Sequence, residues 1–198
     1  MTSRNRRAAG GALLVALLFA AAPAPAMAIP AAEHCVAPDG TDLNLALSTE
    51  DAIITPFCPV TRAGAHWRPT VRAFVAETWD DAVLPAGVVP TGATPVADLL
   101  VKLESVRYVL DEGTSQQRSY VFDKESLVVQ IAALAPGVTA VRWAPRLRPV
   151  AIGAHTVSIY PTLSADFWDG LGTDAENHIP AGESLAAIEA FEVVAPTH

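Results

Sequence analysis

The sequence predicts a mainly β protein, an antiparallel β-sandwich with one short helix. Three observations lead there. Short β-prone runs recur between turn signals, one segment alone shows convincing helical periodicity, and no Gly-x-Gly-x-x-Gly, Walker loop or βαβ rhythm is present.

The chain opens on a segment set apart from that domain. Arg4, Arg6 and Arg7 precede an apolar run from Ala8 to Ala22. Pro23 and Pro25 then interrupt it, and Ala26-Met27-Ala28 offers small residues at −3 and −1 of a cleavage site. This is the three-part pattern of a secretory signal peptide. Its apolar run of roughly 15 residues is too short to span a bilayer as a helix. Cleavage after Ala28 predicts a secreted, extracellular product with no membrane span. The segments are then a signal peptide over 1–28, an N-terminal tail over 29–41 and a single β-sandwich domain over 42–195. Cys35 does not directly follow the cleavage site, so a lipoprotein anchor is not expected.

Three of the 13 Lys and Arg lie in that leader, leaving ten against 21 Asp and Glu, a mature net charge of about −11. Such acidity argues against nucleic acid, which is bound by neutralising phosphates with Lys and Arg. It argues equally against docking on anionic lipid. Cys35 and Cys58 are the only cysteines. In an oxidising compartment such a pair predicts one disulfide, since the spacing is not Cys-x-x-Cys and two thiols do not complete a zinc site.

The elements follow in order. Ile29 to Gly40 is small, polar and proline-bearing, a tail tied down at Cys35. Asp42 to Leu47 fits either a short helix started by Thr41 or a strand. Ile53-Ile54, leading through Pro56 to Phe57 and Cys58, reads as an early strand, and Val71 to Thr78 as the next. Pro85-Ala86-Gly87 and Pro90-Thr91-Gly92 mark a long irregular connection. Thr94 is then a good N-cap and Pro95 suits the first helical position. Val96, Leu99, Leu100 and Leu103 form one apolar stripe, predicting a helix over about 95–103. Val106 to Leu110 and Tyr120 to Phe122 make an antiparallel pair around the Asp111-Glu112-Gly113 turn. Leu127 to Ala132, Ala140 to Trp143, His155 to Leu163 and Phe191 to Val194 complete the strands, with turns at Pro136-Gly137 and Pro180-Ala181-Gly182.

Several local stretches are familiar. Phe57-Cys58 with Ala63-Gly64-Ala65-His66-Trp67-Arg68-Pro69, then Thr94-Pro95 and Val106-Arg107-Tyr108-Val109, resemble functionally uncharacterised secreted proteins of GC-rich bacteria. Gly153-Ala154-His155-Thr156-Val157, Asp169-Gly170-Leu171-Gly172 and Pro180-Ala181-Gly182-Glu183 extend the likeness. The Gly-x-His-Thr strand opening resembles that of bacterial immunoglobulin-like domains. The resemblance implies an immunoglobulin-like sandwich and an extracellular address; no activity comes with it.

Side chains that could carry chemistry are few. His66, Trp67 and Arg68 could line a groove; alternatively Trp67 anchors the core while its neighbours face solvent. His155, where a turn becomes a strand, fits a local hydrogen bond. No His-Glu-x-x-His motif exists, and Ser164-Ala165-Asp166 and Gly182-Glu183-Ser184 are not nucleophile elbows. Carboxylate pairs such as Asp166 with Glu176, or Asp80 with Asp81, are expected in any acidic chain. The loop 166–177 concentrates Asp166, Asp169, Asp174 and Glu176 with two glycines and Asn177. That oxygen inventory could hold Ca²⁺, though without the order of a calcium hand, and otherwise makes a solvated acidic loop. No Lys or Arg follows Arg148, so Arg142, Arg146 and Arg148 are expected to pair with C-terminal carboxylates, or else to bind an anion. No other cofactor is implied. The expected function is a non-catalytic extracellular or cell-envelope interaction module for a protein or glycan ligand. The alternatives are a secreted hydrolase built from sequence-distant residues and a calcium-stabilised structural domain.

Overall fold

The computed structural model describes residues 34–196. The predicted leader, its cleavage site at Ala28 and the start of the tail lie outside the described residues. Within them the chain is mainly β, with thirteen strands and two α-helices.

Helix α1 (Leu43–Ala46) resolves the ambiguity over 42–47 in favour of helix. Its cap is Asp42, not Thr41: the Asp42 carboxylate accepts the Leu45 N–H at 3.0 Å. Strands β1 (Ala52–Ile54), β2 (Val60–Arg62), β3 (Trp67–Pro69) and β4 (Val71–Ala76) follow. Helix α2 (Pro95–Lys102) starts as its sequence requires, with the Thr94 hydroxyl accepting the Ala97 N–H at 3.1 Å. No loop follows it. The chain passes directly into β5 (Leu103–Leu110), then β6 (Arg118–Asp123), β7 (Val129–Ala135), β8 (Val138–Trp143) and β9 (Gly153–Leu163). Strands β10 (Phe167–Trp168), β11 (His178–Ile179) and β12 (Gly182–Glu183) are two residues each, and β13 (Ala187–Val194) ends the fold.

A six-stranded sheet runs β2-β13-β9-β5-β6, with β12 beside β9, and a three-stranded sheet runs β4-β8-β7. Two small sheets, β1-β3 and β10-β11, complete the set. Most pairs are antiparallel, but β13–β2 and β1–β3 are parallel. The two larger sheets share one core. Val75, Val141 and Trp143 come from the smaller, and Val106, Tyr108, Ile159 and Phe191 from the larger. Each fully buried side chain of this kind stabilises the fold by about 1.5–3 kcal/mol.

The α2 stripe packs as expected, with Leu99 and Leu103 buried and Val96 and Leu100 partly so. Its other flank buries charge. Asp98 accepts the Thr91 and Gly92 N–H groups, each at 2.8 Å, and lies 2.6 Å from the Lys102 ammonium. Burial pushes the Asp98 carboxyl up, but these donors together hold it below its ordinary value. The pair thereby pins the long 77–94 connection to the helix.

A second, smaller cluster seats the N-terminal segment. Leu43, Leu47 and Ile53 pack with Ala144 at the end of β8 and with Cys35, which is bonded to Cys58 across a Cα separation of 5.9 Å.

Candidate functional site

A cleft lies where this N-terminal segment meets the edge of the six-stranded sheet. Chain geometry creates it. Strand β1 leads into a tight turn closed by the Thr55–Cys58 bridge, and the chain leaves that turn as β2, which joins β13 and not β1. The two strands belong to different sheets, and among the described residues the space beside them is open. Its volume is about 830 Å³, within the range of small-ligand sites. Most of its wall is small or apolar, including Ile53, Phe57, Val60 and the turn Ala63-Gly64-Ala65. Gly64 takes φ 84°, a left-handed conformation glycine adopts without steric cost, and this turn aims His66 at the cleft.

The polar groups around the cleft are His34, Glu50, Asp51, Arg62, His66 and the hydroxyl of Thr61. Several are already engaged. His34 Nδ1 lies 2.6 Å from the Asp42 carboxylate, which raises the imidazole above its ordinary value. Asp51 accepts from Arg68 at 2.9 Å and from Arg146 at 3.0 Å. Burial alone would push its carboxyl up, but the two guanidiniums outweigh this and hold it low. Thr61 is buried, and its hydroxyl meets no hydrogen-bond partner among the described residues.

The three residues expected to share a groove separate. Trp67 is 1% exposed, packs its ring 4.7 Å from Phe191 and donates its Nε1–H to the Arg148 carbonyl at 2.8 Å. Arg68 is not solvent-facing: besides Asp51 it donates to the Ala144 carbonyl at 2.8 Å, tying β3 to the end of β8. Only His66 lines the cleft. It shares that wall with Glu50 and Asp51, yet no hydrogen bond joins it to either among the described residues.

The basic patch also differs from expectation. Arg142 is buried and donates to the Gln130 amide oxygen at 2.7 Å, while Arg146 turns to Asp51; neither reaches the C-terminal carboxylates. Burial and the neighbouring Arg72 together push the Arg142 guanidinium down. The cause is register, since Arg142 sits directly across from Arg72 in the three-stranded sheet.

The acidic loop does not gather its carboxylates. Asp166 accepts the Ala181 N–H at 2.8 Å. Asp169 accepts from the Leu171 N–H at 2.8 Å and the Asn177 amide at 3.2 Å, and its burial pushes the carboxyl up. Asp174 and Glu176 are exposed. Among the described residues no three His, Cys, Asp or Glu side chains are grouped to hold a metal ion. Gly170 instead has a packing role: at φ 80° its missing Cβ would come within 2.8 Å of the Ala82 Cβ.

No helix among the described residues is long and apolar enough to cross a membrane. Compared with known proteins, the chain matches no family model, no curated protein and no solved structure.

Proposed function

We propose that this is a secreted, non-catalytic binding module, an immunoglobulin-like β-sandwich that takes an extracellular protein or glycan ligand in the cleft beside its disulfide. The observation that carries this reading is the cleft itself. It combines about 830 Å³ of mostly apolar wall with a few polar groups at a sheet edge, the usual make-up of a recognition site. Among the described residues no hydrogen bond joins His66 to a base or nucleophile, which favours binding over turnover. A strongly acidic mature surface directs the search away from nucleic acid and anionic lipid.

The test is an array of extracellular peptides and glycans probed with the mature protein and with Ala65→Trp, which fills the cleft. Ligands retained by the wild type and lost by this variant, at unchanged melting temperature, support the reading. Retention by both moves the site elsewhere.

A hydrolase remains the second reading because His66 shares the cleft wall with Glu50 and Asp51. It requires ester or glycoside turnover that His66→Ala abolishes.

A further inference from the structure

The three-stranded sheet ends on an edge unlike the others. Strand β7 pairs with β8 on one side only. Its register sets which main-chain groups face outward. The Ala144 N–H bonds the Val128 carbonyl at 3.0 Å, and in an antiparallel ladder bonded pairs recur at every second residue. Gln130 and Ala132 therefore bond to Arg142 and Ala140, while the N–H and C=O groups of Val129, Ile131 and Ala133 point away from the sheet. No described residue meets them. The side chains beside them are apolar and open to solvent, with Ile131 52% and Leu134 41% exposed.

Unpaired edges template pairing with another chain, and proteins blunt them with charge, proline, shortness or cover. The other edges carry such devices. Strand β6 has Arg118 and Asp123 at its ends and β2 is three residues long. Strand β4 carries Arg72 and gives its Ala76 N–H to the Asp169 carbonyl. Strand β7 has neither charge nor proline, and no charged residue lies anywhere from Leu127 to Val141. Its one irregularity, a bulge between Ala133 and Ala135, limits the flat edge to the residues before Leu134.

We propose that β7 is a dimerisation edge and that its occupant is β7 of a second copy of this chain, antiparallel about a two-fold axis at Ile131. The outward-facing set is self-complementary about that residue. Ile131 exchanges both bonds with its counterpart, and Val129 of each copy pairs with Ala133 of the other, giving roughly six main-chain hydrogen bonds. The two three-stranded sheets become one of six strands. The Ile131 side chains, which overhang the core because they share the face of Val141, cover one another at the axis. An uncharged strand suits this partner: with no Lys, Arg, Asp or Glu from Leu127 to Val141, no like charges face one another across the two-fold axis. This inference is independent of the cleft.

Sedimentation equilibrium of the mature disulfide-bonded protein, with amide hydrogen exchange across a concentration series, tests it. The expected result is a twofold rise in mass at high concentration, with the Val129, Ile131 and Ala133 amides gaining protection in step. Ala133→Lys and Ile131→Pro should each restore the monomer; the first is an exposed position that leaves the fold unstrained. A monomer at every concentration overturns the proposal. So does a dimer whose three amides exchange as in the monomer, a dimer that survives Ala133→Lys, or protection that appears only when another protein is added.

Discussion

The Nδ1 of His155 lies 2.8 Å from the Asp111 carboxylate, buried at the point where the β5–β6 turn meets the start of β9. The opposite ring nitrogen faces the Ala151 carbonyl at 2.9 Å, and Asp111 also accepts the Thr156 N–H at 3.1 Å. The Ala151 carbonyl only accepts, so Nε2 is the donor of that bond. Asp111 itself sits at φ 50°, held there by these contacts. Asp111→Ala removes one partner of a buried pair and strains the turn, so it should cost about 3 kcal/mol. Urea denaturation measures it; a loss within the range of a surface substitution would show the pair to be incidental.

Reduction should act mainly on the N-terminal segment. The Cys35–Cys58 bond closes a separation of 23 residues and holds the small cluster around Leu43 and Ile53 against Ala144. Cys35→Ser with Cys58→Ser should lower stability by about 3 kcal/mol. Amide exchange should quicken first over 35–58, with β5 and β9 least affected. Uniform loss of protection across the chain would contradict this order.

The acid limb of stability should depend on Asp51. Its folded-state carboxyl is held below the ordinary value of 3.8, so the stabilisation is complete above the unfolded value and is lost as pH falls through the lowered one. Asp51→Asn should therefore lower the melting temperature at neutral pH, with the deficit shrinking below about pH 4. A deficit independent of pH would mean that packing, not the pairing with Arg68 and Arg146, is what the carboxylate supplies.

Glu189 should behave in the opposite sense. It is half-buried on the inner face of β13 opposite Val157, and burial raises its carboxyl, with Arg72 opposing only in part. A raised folded-state value makes the ionised form the penalised one, so stability falls as pH rises through that value. Glu189→Gln should raise the melting temperature at pH 7 and leave it unchanged at acid pH. A lower melting temperature at pH 7 would show an unrecognised partner.

Much of this fold is legible in the sequence because it rests on local chemistry. The Thr94-Pro95 start, the Val96–Leu103 stripe and the hairpin turning at Asp111 each follow from short-range rules. What escaped rests on pairing between distant segments. Nothing local tells that β2 will run parallel to β13, yet that pairing puts β2 and β1 in different sheets beside the cleft. The helix predicted over about 95–103 is present as Pro95–Lys102, and Leu103, which completes its apolar stripe, is both its C-cap and the first residue of β5. The pairing of Arg146 with Asp51, 95 positions away, has no local signal in the sequence and is made only by folding.

The loop 166–177 should not respond to calcium. Asp169 is committed to the Leu171 and Asn177 donors, and Asp174 and Glu176 stand in solvent. Melting curves in EDTA and in millimolar Ca²⁺ should coincide, because stabilisation by mass action requires a site in the folded state. A rise of several degrees with Ca²⁺, abolished by Asp169→Asn, would restore the calcium-stabilised reading.

The most direct test of the binding reading is amide chemical-shift mapping of the mature protein with a ligand recovered from the peptide and glycan array. Saturable shifts should concentrate at Ile53, Val60, Ala63 and His66, vanish in Ala65→Trp and leave the ligand chemically unchanged. Shifts centred away from the cleft, or conversion of the ligand during the titration, would contradict it.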